Sequence, residues 1–323
     1  MKLLAIPALA TIAIFSSSSL KADTYLFSYF RGEKDGLHLA YSHDGFKWTA
    51  LNNNKSILRP SVGEDKLMRD PSIVQGPDGT FHMVWTSSWH DRIIGYASST
   101  NLIDWTAQRA IDVMGHEPEA LNCWAPELFY DDTTGKFWIF WATSIPGCHK
   151  FIPTSERERQ WSHRIYATTT TDFKSFTPVK LWFDPDFIAI DSAVVRNPKT
   201  GELLMVVKNE NSAPPEKNIR ITRAKSMEEG FSTDVSKPIN FGSDWVEGPA
   251  PLFVGDDLFV YFDNYRTGKY NLSVSHDGGN TWENRSNELS LPKGIRHGTA
   301  FKVDDAVLKV LLEKYGPDAV KNE

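Results

Sequence analysis

The chain has 323 residues, 41% of them hydrophobic, with 11 Trp, 19 Phe and 10 Tyr, enough apolar material for a sizeable core and an aromatic excess that favours strands over helices. A formal net charge of −6 and the lack of any basic run argue against nucleic acid or an anionic membrane as partner. The only two cysteines, Cys123 and Cys148, exclude a disulfide framework and a cysteine-based zinc site.

The N-terminus begins Met1-Lys2, continues with an apolar run over residues 3–15 and leaves through four serines to Ala22. A positive start, a short apolar core and a small-residue exit predict a signal peptide over residues 1–22, hence a soluble mature protein in a periplasm or outside the cell. No later segment reaches the roughly 18 apolar residues of a membrane span. Downstream, five segments share a strand, a polar turn and a closing aromatic: residues 39–48, 95–105, 165–176, 221–231 and 272–282. Their aromatics recur at intervals of roughly 50 to 70 residues, the size of a four-stranded blade with variable loops. Alternating strands precede them at residues 25–30, 80–86, 136–143, 203–208 and 257–263. Upstream of the last four, an acidic residue beside Pro or a small residue opens another strand: Arg69-Asp70-Pro71-Ser72, Trp124-Ala125-Pro126-Glu127, Ile190-Asp191-Ser192-Ala193 and Glu247-Gly248-Pro249-Ala250.

This order predicts an all-β fold, a five-bladed β-propeller. The first unit lacks its inner strand and residues 297–302 have no unit, so the C-terminal strand is expected to complete the N-terminal blade and remove two open edges. Residues 304–315 place Val307, Leu308, Val310, Leu311 and Leu312 on one side of a short helix packed outside the propeller. The expected organisation is a signal peptide at 1–22, one catalytic propeller domain at 23–302, and a helix and tail at 303–323. The cysteines flank a hairpin predicted over 128–143, where one bridge across its open end and two buried free thiols are both open. Long irregular pieces at 52–67, 107–122, 147–160 and 209–218 read as walls of a site.

Inner strands of a propeller converge on its axis, so Asp70, Glu127, Asp191 and Glu247 are expected to share a small volume. Crowded, buried carboxylates cannot all ionise independently, which leaves a proton donor beside an ionised base, the pair that glycosidic cleavage uses. Each residue also has a plainer reading: an Asp before Pro caps a turn, and Glu-Gly-Pro makes a bend. Glu127 reads either as an acceptor for a sugar hydroxyl or as the partner of a buried Arg such as Arg69 or Arg296. Most tryptophans, Trp85, Trp138 and Trp141 among them, read as core. Trp89, at a strand end, and Trp124, before Glu127, are the candidates for a sugar-stacking wall. Arg296 and His297 complete the substrate-binding candidates, with His116, Glu117 and His149 on loops facing the substrate.

Asp70-Pro71-Ser72, Trp124-Ala125-Pro126, Ile190-Asp191 and Glu247-Gly248-Pro249, in this order and at these separations, resemble glycoside hydrolase family 43 across nearly the whole chain after residue 22. The resemblance implies a five-bladed propeller and an inverting mechanism, with Asp70 as general base, Glu247 as general acid and Asp191 tuning and holding the acid. Inversion would set the Asp70 and Glu247 carboxyls about 6.5 to 9.5 Å apart. No cofactor is required; in some relatives a Ca²⁺ or water sits on the axis, and His297 is the residue here that would ligate it. The chain departs from the family where Glu127 follows Trp-Ala-Pro in place of Asp, and where a whole blade precedes Asp70. Some galactan-acting relatives recruit another side chain as base, a part that Glu127 or a water near His297 would take here. The implied substrate is the terminal sugar of a plant-type oligo- or polysaccharide, first an α-L-arabinofuranoside, with a β-galactan or β-xyloside as alternatives. Ser275-His276-Asp277-Gly278 and Ser42-His43-Asp44-Gly45 resemble the Asp-box of sialidases, but five repeats without a set of three Arg leave that motif as a hairpin turn. A sugar-binding propeller without turnover is the reading from another class.

Overall fold

Apolar runs rich in Val, Ile, Phe, Tyr and Trp, broken by turns with Gly, Asn or Asp, favour antiparallel hairpins. The computed structural model, which describes residues 23–148 and 155–317, arranges them as five antiparallel sheets. The first sheet holds β1 (Thr24–Tyr29), β2 (His38–Ser42) and β3 (Thr49–Ala50). The second is β4 (Arg69–Gln75), β5 (Phe81–Thr86), β6 (Ile93–Ser99) and β7 (Arg109–Asp112). In the third, β8 (Trp124–Asp131) and β9 (Lys136–Ser144) are followed by helix α1 (Glu156–Gln160), then β10 (His163–Thr170) and β11 (Lys180–Phe183). The fourth has three strands, β12 (Ala189–Arg196), β13 (Leu203–Asn209) and β14 (Asn218–Ala224), and the fifth has β15 (Glu247–Val254), β16 (Asp257–Asn264), β17 (Lys269–Ser275) and β18 (Glu283–Asn284).

The last strand, β19 (Gly298–Val303), pairs antiparallel with β1 from Thr24↔Val303 to Tyr29↔Gly298. It becomes the inner strand of the first blade, so the ring closes as expected. Contacts run from β4 to β8, β12, β15, β19 and back to β4. Five apolar clusters fill the wedges between neighbouring blades. Trp85, Trp138 and Trp141 are fully buried in them, and truncating any one would cost about 3–5 kcal/mol. Gly95 is fixed by such packing, because a Cβ there would lie 2.0 Å from the Trp85 ring.

Helix α2 (Asp305–Tyr315) lies against the wedge between the first and second blades through Val307, Leu311 and Leu312. Val310, expected on the same side, is 40% exposed, since it sits about 200° around the helix from Leu308 while Leu311 and Leu312 return to the buried face. The cysteines form no bridge: Cys123 is a buried free thiol and Cys148 an exposed one. The predicted signal peptide and His149 lie outside the described residues. Among the described residues no helix is long and apolar enough to cross a membrane.

The Asp-box stretch is a turn, as expected. Asp277 Oδ1 accepts from Ser275 Oγ and from the N–H groups of Asn280 and Thr281. Asp44, Asn101 and Asp172 hold the corresponding turns of three other blades in the same way.

Candidate active site

Four inner strands open on the same local distortion. Register shifts fall between Arg69 and Ser72, Trp124 and Glu127, Ile190 and Ala193, and Glu247 and Ala250. The first residue inside each shift has a positive φ: Asp70 at 53°, Ala125 at 45°, Asp191 at 50° and Gly248 at 60°. A bulge of this kind bends the strand and re-aims a side chain at the rim of a sheet. A left-handed conformation costs a non-glycine residue roughly 1–2 kcal/mol, so at Asp70 and Asp191 the packing around the bulge sustains a conformation the chain would otherwise avoid. Gly248 is needed at its place, because a Cβ there would lie 2.4 Å from His297 Cγ.

The bulges place Asp70, Asp191 and Glu247, from three blades, on one cavity of about 420 Å³, together with His297, Trp89 and Trp124. Asp70 and Asp191 are 7% and 8% exposed. His297 Nδ1 lies 3.3 Å from Asp70 Oδ1 and 3.9 Å from Asp191 Oδ2. Thr86 Oγ1 donates to Asp70 Oδ2 at 2.8 Å, and the Gly248 N–H donates to Asp191 Oδ2 at 3.0 Å. Burial alone would raise the Asp70 pKa, but the charge and hydrogen bond of His297, with Arg69 and Thr86, bring it down to about 2. Burial would lower His297, yet Asp191, Asp70 and Glu127 raise it to about 9. At neutral pH the centre is therefore an imidazolium facing an ionised Asp70. Asp191 is pushed up, first by burial and then by Glu247 and Asp70, against the pull of His297 and Lys208.

Glu247 is gripped from both sides. Arg296 Nη2 donates to its Oε1 at 3.0 Å and Lys208 Nζ to its Oε2 at 3.3 Å. Arg296 also donates through Nε to Asp263, so this residue, expected to touch substrate, is not among those lining the cavity and acts on Glu247 from behind. Lys208 is buried, lies 2.7 Å from Glu210 Oε2 and sits over the Tyr265 ring at 4.8 Å. Lys217 Nζ in turn meets Glu210 Oε1 at 2.5 Å and Ser212 Oγ at 3.1 Å.

Both tryptophans of the expected wall line the cavity. The Trp124 Nε1 donates to the Trp89 carbonyl at 2.9 Å, and the rings meet edge to face. One face of Trp89 carries the Arg69 guanidinium at 4.6 Å.

Glu127 is the main correction. It is 4% exposed and does not line the cavity. Nor does it pair with Arg69, which meets Glu33, or with Arg296. Ser72 Oγ donates to its Oε2 at 2.6 Å and Thr299 Oγ1 to its Oε1 at 3.1 Å. Burial, only partly opposed by Ser72, His297 and Thr299, raises it to about 7. The reason lies in the register: Asp70 and Asp191 sit inside their bulges and Glu247 just before its own, whereas Glu127 is the residue at which pairing resumes, level with Ser72, Ala193 and Ala250. His116, expected to face substrate, lines a separate outer cavity with Thr168 and Phe176.

Among the described residues no group of three His, Cys, Asp or Glu is placed to hold a metal, and His297 Nδ1 faces Asp70 and Asp191. Sequence reasoning passed over Lys208, Glu210, Lys217, Trp245, Tyr265 and Arg157, all of which line the cavity. A charged pair closing the apolar run Leu203–Asn209, Lys208 and then Glu210, was the available signal.

Residues 21–307 match the family model described as a probable glycosyl hydrolase domain. An α-L-arabinofuranosidase of Bifidobacterium longum subsp. longum is 22% identical over 351 residues, covering 86% of this chain and 32% of that protein. The chain thus spans about a third of the length of that curated relative. Among solved structures, a thermostable family-43 glycoside hydrolase superposes with a TM-score of 0.53 at 15% identity, covering 67% of this chain and 71% of the other. A family-43 β-1,3-galactosidase bound to galactodeoxynojirimycin gives 0.51 at 12% identity, with 73% and 79% covered. With the family model matching most of its length, the chain belongs to glycoside hydrolase family 43, among its probable glycosyl hydrolase domains.

Proposed function

We propose that the chain is an exo-acting, inverting glycoside hydrolase that removes a terminal sugar from an oligo- or polysaccharide, with an α-L-arabinofuranoside as its first candidate substrate. One observation carries the reading: Asp70, Asp191 and Glu247 come from three separate blades onto one cavity of sugar size, around His297. Asp70, held ionised far below neutral pH, is the base that takes a proton from water. Glu247 is the acid that protonates the leaving oxygen, and the carboxylate so formed faces Lys208 and Arg296, which stabilise it as it appears. Asp191 holds the backbone beside the acid through the Gly248 N–H and adds negative charge where an oxocarbenium-like state develops. The substrate choice draws on the name of the Bifidobacterium relative. The galactosidase among the structural neighbours supplies the second arm of the test.

Hydrolysis of 4-nitrophenyl α-L-arabinofuranoside, β-D-xyloside and β-D-galactoside, with the product anomer followed by NMR, tests the proposal. Turnover of one arm with inversion is expected, and a retained anomer would reject the mechanism. Glu247→Gln is expected to lower kcat roughly 10²–10⁴-fold on an unactivated glycoside, and less on the nitrophenyl leaving group, which needs little protonation. Sugar binding without turnover of any arm would favour a non-catalytic propeller.

A further inference from the structure

A second cavity of about 350 Å³ adjoins the first and shares Trp124, Arg157, Ile190, Glu210 and Ser212 with it. Its wall is α1, which the buried Glu158 ties to the neighbouring loop by accepting the N–H groups of Ser212 and Ala213 at 2.7 and 3.1 Å. Trp124 and Trp161 stack along one side, centroids 5.3 Å apart and planes 15° apart, and Ile188 and Ile190 give an apolar floor. Glu158 and Glu210 also line this space but are already engaged, Glu158 by backbone N–H groups and Glu210 by Lys208 and Lys217, whereas Arg157 is an exposed charge at its rim. Arg69 meets Glu33, Lys208 and Lys217 share Glu210, and His297 faces Asp70 and Asp191. Among the described residues no carboxylate pairs with Arg157, and residues 149–154, just before its helix, include no acid. Lys217, which lines the first cavity together with Arg157, is already paired with Glu210 and leaves no carboxylate to it.

We propose that this second cavity is a subsite for the uronic acid unit of an acidic oligosaccharide, with Arg157 taking its carboxylate and the Trp124–Trp161 wall taking its ring. The planar guanidinium matches a carboxylate by two parallel hydrogen bonds, and an aromatic side with an apolar floor suits a pyranose face. This rests on the first cavity being the pocket for the cleaved sugar: the uronate then lies on the leaving-group side, across Trp124.

Calorimetric titration of the full chain with methyl galacturonoside and methyl glucuronoside, each as the free acid and as its methyl ester, tests it. The acid is expected to bind roughly tenfold more tightly than the ester, as for one charge-assisted pair at a partly exposed site. That preference should shrink in about 0.5 M NaCl, disappear in Arg157→Gln and persist in part in Arg157→Lys. Equal binding of acid and ester, no binding of either, or a preference that survives Arg157→Gln overturns the proposal. Glu247→Gln, which removes turnover, should keep the preference. Uronate selection in a chain that cleaves no glycoside would therefore sink the hydrolase reading alone, and cleavage without uronate selection would sink this one alone.

Discussion

Replacing Asp70 by Asn removes the negative charge 3.3 Å from His297 while leaving an acceptor for Thr86. In the unfolded chain an imidazole titrates near about 6.5, whereas in the folded protein three carboxylates overcome burial and hold His297 at about 9. That difference is worth about 3 kcal/mol of stability. Because the folded value is the higher one, the stabilisation is complete below about pH 6.5 and is lost as the pH rises through about 9. With Asn at position 70, the imidazolium keeps only Asp191, at 3.9 Å, among the two carboxylates that face Nδ1. A buried charge that loses its partner costs about 3–5 kcal/mol if it stays charged. Shedding the proton of a group that titrates at about 9 costs only about 3 kcal/mol at pH 7, which caps the penalty there. At pH 9.5 the wild-type imidazole is largely neutral, so the variant should be destabilised by under about 1 kcal/mol. Urea unfolding of both proteins at pH 7 and pH 9.5 measures this directly. A penalty equal at the two pH values, or larger at the alkaline one, would mean that His297 is neutral in the folded state and would refute the imidazolium centre.

Glu127→Gln tests the axial carboxyl. Its pKa, raised by burial to about 7, makes the folded state lose about 3 kcal/mol as the pH rises from about 4.5 to about 7; the Gln variant should show a flatter stability profile across that window in thermal melts, and a raised KM with an unchanged profile would return Glu127 to the substrate. Lys208→Met leaves Glu210 and Glu247 without their shared buried cation; a loss of about 3–5 kcal/mol in chemical denaturation is expected, and a loss under about 1 kcal/mol would mean that Lys217 and Arg296 suffice. Gly248→Ala pushes a methyl into His297 and strains a left-handed backbone by roughly 1–2 kcal/mol; kcat/KM should fall together with stability, and a variant as active and stable as the parent would contradict the close packing of that glycine on the imidazole.

Much of this architecture was legible in the sequence because it follows from short-range rules. Alternation fixed the middle strands to within a residue or two at each end, as at Lys136–Ser144 and Asp257–Asn264. The shortage of one inner strand at the first blade and the surplus of one at the end pointed to the β1–β19 pairing. The acids Asp70, Asp191 and Glu247 stood out because each opens a strand beside Pro or a small residue. Glu127 was misplaced because composition near a Pro was read in place of register. Aligning the four strands on their bulges sets Trp124 level with Glu247 and leaves Glu127 two places past Asp70. The Lys208 and Glu210 pair at the end of its strand was a local signal, but the burial of Lys208 also depends on Glu247, which arrives from another blade. The short helix α1, with its Ser155–Glu158 capping box, lay in a stretch read as an irregular wall of the site, so the helix and the second cavity beside it were not visible before folding.

The charges of the first cavity explain why a neutral sugar suits it. Apart from Arg157, each basic group of the lining already has an acidic partner: Arg69 meets Glu33, Lys208 meets Glu210 and Glu247, Lys217 meets Glu210, and His297 faces Asp70 and Asp191. A ligand that added a full charge there would have to displace an existing partner, whereas a neutral sugar can exchange hydrogen bonds with these groups. The balance also bears on the proposed reaction. When Asp70 takes the proton of water, the imidazolium loses one of its two facing carboxylates but keeps Asp191 at 3.9 Å. When Glu247 gives up its proton, the new carboxylate meets Lys208 and Arg296, already in place at 3.3 and 3.0 Å. Each proton transfer therefore ends on a charge with a partner waiting for it, and little rearrangement is needed as the bond breaks. Arg157 stands outside this balance, at the border of the second cavity, which is where an acidic neighbour of the cleaved sugar would meet it.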